Sequence, residues 1–133
     1  MIRFALVFAG LHGAVAVALG AYAAHGMGGA FDAAAVGWVE TGTRYELAHA
    51  AALAAVAALL RGSGHGPGHR ALVLAAWAFA LGALLFAGSL YGLAFTGRST
   101  FGAIAPFGGG AMILGWIALL VAGLGHRPPS AER

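Results

Sequence analysis

The stretch Thr41-Gly-Thr-Arg-Tyr-Glu-Leu-Ala-His49 crowds an arginine, a tyrosine, a glutamate and a histidine into the six residues from Arg44 to His49. Elsewhere the apolar segments are almost free of charge. Tyr45 and His49 are four apart, so on a helix they stand one above the other on the same face. Imidazole and carboxylate donors can hold zinc, copper or iron, and the same groups can receive a small organic ligand or a lipid. Ionisable groups at the mouth of a membrane span are costly, and where they occur they mark sites and pathways. The competing reading is architectural. In it, Arg44 and Glu46 snorkel to the interface while Tyr45 and His49 hydrogen-bond between helices and fix their register.

The composition says which solvent surrounds these groups. The chain has 133 residues, 61% hydrophobic and 8% charged, with a mean hydropathy of +0.88. Soluble domains carry roughly 25% charge, so a chain this poor in charge cannot cover its own surface in water. Cysteine is absent, which removes disulfides and thiolate metal sites. The isoelectric point near 10.2 comes from seven basic residues, all arginine, scattered at the ends of the apolar runs. That distribution fits orientation in a bilayer and not a nucleic-acid surface.

Four spans are expected, over 4–24, 44–60, 71–95 and 105–124, making an all-α integral membrane bundle in one domain. A cleavage-like Ala21-Tyr22-Ala23 follows the first run, but the run exceeds the core of a signal peptide and reads as a retained helix. Between the first and second spans, 31–40 reads as a short interfacial helix, with Asp32 at its start and Trp38 at headgroup depth. The second span is the weakest, because it reaches the lower length limit only by starting at Arg44. The loop 61–70 is Gly-rich and hydrophilic. Pro106 suits the first turn of the last helix. The tail 126–133 reads as disordered. Small residues recur on every span: Gly10, Gly13, Gly20 and Ala24; Ala48, Ala51, Ala55, Ala58 and Gly62; Gly82, Ser89, Gly92 and Thr96; Gly108, Ala111, Gly115, Ala118 and Ala122. Each stripe is an expected seam for close packing, within the bundle or in a parallel homo-oligomer.

Arg3, Arg61, Arg70, Arg127 and Arg133 fall on the side of the termini, and Arg44 and Arg98 on the other. This bias predicts cytoplasmic termini. On that topology His25, Tyr45, Glu46, His49, Ser89 and Tyr91 share the outer third of the bundle and form the candidate ligand site. Ser89 and Tyr91 are about 200° apart around their helix, so one of them points elsewhere. His12 lies mid-span, roughly 18–20 Å below His25 by helical rise, and reads as too deep to join His49 on a shared metal. A lone intramembrane histidine can relay protons or ligate haem, but more often it is neutral and bonded to a backbone carbonyl. His65 and His69 read as loop residues. Gly108-Gly109-Gly110 lacks the lysine and serine of a phosphate loop.

With these residues laid out, the chain resembles the domain-of-unknown-function family numbered 423, whose eukaryotic members are called transmembrane protein 256. The resemblance runs from Gly20-Ala-Tyr-Ala-Ala-His25-Gly26 through Trp38 and Thr41 to Arg44-Tyr45-Glu46 and His49-Ala50. It continues with Leu84-Leu-Phe-Ala-Gly-Ser-Leu-Tyr91, Thr96-Gly97, Ala105-Pro-Phe-Gly-Gly109 and Gly115-Trp116. It implies a small bacterial inner-membrane protein with four helices and no established biochemical activity. His12 lies outside the matching pieces, whereas most of the outer-third residues lie within them.

The expected protein is therefore non-enzymatic, with an outward polar cluster that binds a small molecule, lipid or ion or serves a membrane-protein partner. An oligomeric solute transporter or channel is the alternative, and it would need a polar path through inner halves built of Ala, Leu, Val and Gly. Enzymatic chemistry would have to rest on Ser89 with His49 and no evident third group. Neither the cofactor nor the metal is specified by the residue pattern.

Overall fold

Asp32 starts the second helix, its side chain accepting a hydrogen bond from the Ala35 amide at 2.7 Å. That helix does not stop until Gly62. In the computed structural model, which describes residues 1–125, the chain forms α1 (Ile2–His25), α2 (Ala33–Gly62), α3 (Pro67–Thr96) and α4 (Ser99–Leu124). Short connections make consecutive helices antiparallel neighbours. α2 packs against both α1 and α3, while α4 lies along α3. Gly97, at φ 67°, ends α3 in the left-handed conformation, and its amide bonds the Leu93 carbonyl. That turn lets α4 begin two residues later.

Three of the helices, α1, α3 and α4, are long and apolar enough to cross a membrane. α2, expected as the second span over 44–60, is not among them, since it carries Glu40, Arg44, Glu46 and Arg61. The separate interfacial helix expected over 31–40 does not exist either. Those residues are the first turns of α2, because Gly37 and Gly42 are tolerated in a helix that buries one continuous face. Pro106 is likewise not in a first turn. α4 starts at Ser99, which puts Pro106 inside the helix. The tail expected as disordered, 126–133, lies outside the described residues.

Two apolar clusters form the core. One joins Ala5 and Ala9 of α1 to Leu53, Val56 and Leu60 of α2 and to Leu72, Ala76 and Phe79 of α3. The other, at the opposite end, joins Ala23 and Met27 to Ala35, Val39 and Ala94. Between them, in chain order on α1, α2 and α3, lies a polar layer.

The small-residue stripes divide into two groups. On α3 and α4 they are the real seam. A Cβ on Gly82 would come within 2.8 Å of Met112, one on Gly115 within 2.6 Å of Phe79, and one on Gly108 would strike the backbone of Phe86. On α1 and α2 the buried faces differ from those expected. α1 buries Ala5, Ala9, His12, Ala16 and Ala23, and nothing lies within 4 Å of a Cβ on Gly10 or Gly13. α2 buries Gly42, Glu46, His49, Leu53, Val56 and Leu60 and leaves Ala48, Ala51, Ala55 and Ala58 exposed. Small residues pass for lipid-facing as easily as for helix-facing, whereas an ionisable group has one tolerable direction. His12 and Glu46 set the rotation of both helices.

Candidate functional site

Because α2 begins at Ala33, Glu46 lies thirteen residues into it, about 20 Å from its start by helical rise. The carboxylate is therefore in the middle of the bundle and not at the end of its helix. This brings it level with His12, and the two side chains meet: Nδ1 of His12 lies 2.8 Å from Oε1 of Glu46. The second imidazole nitrogen, Nε2, lies 3.1 Å from the carbonyl oxygen of Ala80 on α3. The tyrosine hydroxyl of Tyr91, also on α3, donates to the other carboxylate oxygen, Oε2, at 2.6 Å. His12 and Glu46 are only 2% and 3% exposed. A single chain of hydrogen bonds thus crosses from α1 through α2 to α3.

The proton count along this chain follows from donor chemistry. A carbonyl only accepts, so Nε2 of His12 carries a hydrogen. One proton then lies between Nδ1 and Oε1, making either an imidazolium–carboxylate pair or a neutral imidazole with a carboxylic acid. The pair is neutral overall in both forms. That is how two ionisable groups avoid the cost of an isolated buried charge.

Gly42, one turn before Glu46, makes room for the chain to close. The ring of Tyr91 lies across it, and a Cβ there would come within 2.6 Å of the ring. Without that gap α3 could not bring the phenol down to the carboxylate.

His49, 6% exposed, occupies a separate arrangement beside this one. Its Nδ1–H donates to the carbonyl of Tyr45 at 2.7 Å, so the ring is the Nδ1–H tautomer. The bare Nε2 accepts the indole N–H of Trp116 on α4 at 3.1 Å. Both nitrogens of His49 are engaged, and the imidazole ties α2 to α4. Its ring also contacts Phe79 at 5.4 Å between centroids.

The sequence-predicted residues are thus partly gathered. Glu46 and Tyr91 bond directly. Tyr45 is half exposed, stacks parallel to His49 at 6.4 Å and packs on Phe86 at 4.9 Å. Ser89 is buried, but its hydroxyl donates to the Phe86 carbonyl of its own helix at 2.8 Å. It therefore makes no hydrogen bond to His49 and has no activated-nucleophile geometry. His25 is exposed at the last residue of α1, away from the others. Of the pair Ser89 and Tyr91, it is Tyr91 that faces the cluster. The residue that sequence reasoning set aside is His12. The signal for it was present, a lone histidine in an apolar span. Placing Glu46 at the mouth of a short second helix hid its partner.

Every buried side-chain nitrogen and oxygen among the described residues has a hydrogen-bond partner. No group of three histidine, cysteine or acidic side chains there is arranged to hold a metal ion. The polar layer joins imidazole, carboxyl and phenol in unbroken hydrogen-bond contact from His12 to Tyr91. Beyond His12, toward the 63–66 loop, the core returns to Ala5, Ala9, Leu53, Val56 and Phe79.

Comparison with known proteins supplies the remaining findings. The sequence profile of the family described as "Protein of unknown function (DUF423)" matches residues 19–109. A UPF0382 membrane protein of Haemophilus influenzae is 40% identical over 115 residues, covering 86% of this chain and 88% of its own. The UPF0382 inner membrane protein YgdD of Escherichia coli K12 is 34% identical over 122 residues, covering 90% and 88%. The UPF0382 membrane protein YwdK of Bacillus subtilis is 38% identical over 118 residues, covering 88% and 93%. No solved structure matches the chain.

Proposed function

The chain belongs to the DUF423 family and is a membrane protein like its relatives, and on that premise we propose that its buried His12–Glu46–Tyr91 chain is a proton-holding site in a non-enzymatic, four-span inner-membrane protein. The observation that carries the reading is the continuous imidazole–carboxyl–phenol contact, at 2.8 and 2.6 Å, in the middle of the bundle. Intramembrane ionisable residues that pair with one another are the usual hardware of proton handling. The ion bound is the proton itself: imidazole, carboxyl and phenol each exchange one, and each of these buried polar atoms already has a hydrogen-bond partner in the protein.

In this reading α2 is the fourth span despite its composition. Glu46 and His49 are buried against the neighbouring helices, while Glu40, Arg44 and Arg61 are exposed, and the thirty residues of α2 exceed what a crossing needs. In the same reading the termini and the 63–66 loop are cytoplasmic, which the arginine bias supports. A second copy of the chain would find the uncovered Gly10 and Gly13 face of α1 open for close approach.

Infrared spectroscopy of the protein in lipid vesicles tests the site. Glu46 is the one carboxyl group buried in the bundle among the described residues. The Glu46 carboxyl is isolated as the wild-type spectrum minus that of Glu46→Gln, since the exposed Asp32 and Glu40 absorb in both. Its band should shift when water is exchanged for heavy water, as a carboxyl that shares a proton does, and Tyr91→Phe should move its frequency. A difference band indifferent to both would sink the reading and leave the chain a structural clasp. The transport alternative predicts proton or solute flux in the same vesicles, lost in His12→Leu. The apolar core beyond His12 favours a site that holds a proton over a path that carries one through.

A further inference from the structure

At the loop end of the bundle, α2 and α4 stand apart on either side of α3. The gap is a half-open cleft of about 470 Å³ lined by Ala58, Leu59, Gly62, Leu72, Leu119 and Ala122. Ala58 lies four residues before the end of α2 and Leu119 five before the end of α4, so the cleft reaches roughly 6–8 Å below the helix ends. Its walls are small and aliphatic, and its volume falls within the roughly 300–1,000 Å³ typical of ligand sites.

The cleft does not end at the surface. Through Gly62, Ser63, Leu72 and Ala122 it continues into a second hollow of about 340 Å³ whose wall mixes polar and apolar groups, with His65 and His69 at its rim. A third hollow adds Arg70 to the same two histidines. The rim is built. Ser63 donates its hydroxyl to the Leu60 carbonyl at 3.1 Å and accepts the Nδ1–H of His69 at 2.8 Å. The His65 ring lies against His69 with centroids 5.8 Å apart.

Among the described residues, charge at this end has one sign. Arg61 and Arg70 flank the loop, Arg3 lies at the same end of α1, and no acidic residue occurs from Leu47 to Gly125. An apolar trough that opens onto an uncompensated basic and imidazole rim, at the level where helices leave the hydrocarbon, complements one kind of molecule.

The geometry points to a binding groove for one anionic phospholipid, its acyl chain in the cleft between α2, α3 and α4 and its phosphate against His65, His69 and Arg70. The groove is at the far end of the bundle from the Tyr91 phenol and shares no residue with the proton-holding chain, so either assignment can fail alone.

Native mass spectrometry of the full chain in detergent micelles tests it, with phosphatidylglycerol and phosphatidylcholine of identical acyl chains supplied separately. Wild type retains one phosphatidylglycerol per chain under activation that strips phosphatidylcholine. Arg70→Gln lowers phosphatidylglycerol retention about fivefold, the weight of one basic residue near an anionic surface, and leaves phosphatidylcholine unchanged. Gly62→Leu fills the apolar trough, where a Cβ meets nothing within 4 Å, and reduces retention of both lipids. Excess inorganic phosphate does not displace the lipid. Thermal unfolding in lipid-free detergent is unchanged in both variants, so the losses report binding and not folding. Equal retention of the two lipids, an Arg70→Gln variant indistinguishable from wild type, displacement by free phosphate, or a two-chain mass with no lipid attached would each overturn the assignment.

Discussion

Gly42 lies directly under the ring of Tyr91, and the phenol reaches Glu46 only because position 42 has no side chain. Gly42→Ala forces the ring away and breaks the 2.6 Å bond to the carboxylate. Losing a hydrogen bond to a charged group costs about 1.5–3 kcal/mol, and alanine returns about 0.5–1 kcal/mol of helix propensity. The expected net loss is about 1–2 kcal/mol, read as a lowered unfolding temperature in detergent. Gly37→Ala, where a Cβ meets nothing within 4 Å, should instead raise it slightly.

His12 and Glu46 should behave as one unit. Removing either partner leaves the other buried and unpaired, and each of His12→Leu and Glu46→Leu is expected to lose about 3–5 kcal/mol. The double variant should lose less than the sum, with a coupling of roughly 0.5–3 kcal/mol. Strict additivity in a double-mutant cycle would mean that the 2.8 Å contact does not hold in the membrane.

The indole of Trp116 and the imidazole of His49 join α4 to α2. Trp116→Phe removes the donor and should cost about 1 kcal/mol for the bond. His49→Ala should lower thermal stability with no bound metal lost in elemental analysis, because both ring nitrogens already have partners. Metal that copurifies with wild type and disappears in His49→Ala would contradict this.

The seam between α3 and α4 is tight enough for a single methyl group to matter. Gly108→Ala drives a Cβ into the backbone of Phe86, while Gly110→Ala meets nothing within 4 Å. The first should expose α4 to limited proteolysis and destabilise by several kcal/mol, since overpacking against backbone cannot be relieved by a rotamer change. The second should be neutral.

The crossing of α2 can be checked directly because the chain has no cysteine of its own. Single cysteines placed at Val36 and at Gly64 should react with an impermeant maleimide from opposite faces of the membrane. Labelling of both from one face would remove α2 as a span.

Much of this architecture is readable from residue types. The apolar runs of α1, α3 and α4 announce themselves, Asp32 marks the start of α2, and Gly82, Gly108 and Gly115 mark the one seam where backbones approach. What failed was the rotation of α1 and α2 and the length of α2. In helices this rich in alanine and glycine, small residues occur on every face, so their spacing does not single out the packed one. The polar run around Arg44 resembles a membrane boundary when read locally. It becomes the interior of a long helix only once His12, thirty-four positions away in sequence, is seen to receive Glu46.

Glu46 takes one partner from α1 and the other from α3, the helices made before and after its own. This has a consequence for biogenesis. As the chain emerges, α1 can already meet His12 to Glu46, but the second oxygen waits for Tyr91, forty-five residues later. Until α3 arrives, α2 is the helix that lipid accepts least. On the proposed four-span reading, its commitment to the bilayer is an act of three helices together, and a chain truncated before Tyr91 should leave α2 outside the hydrocarbon.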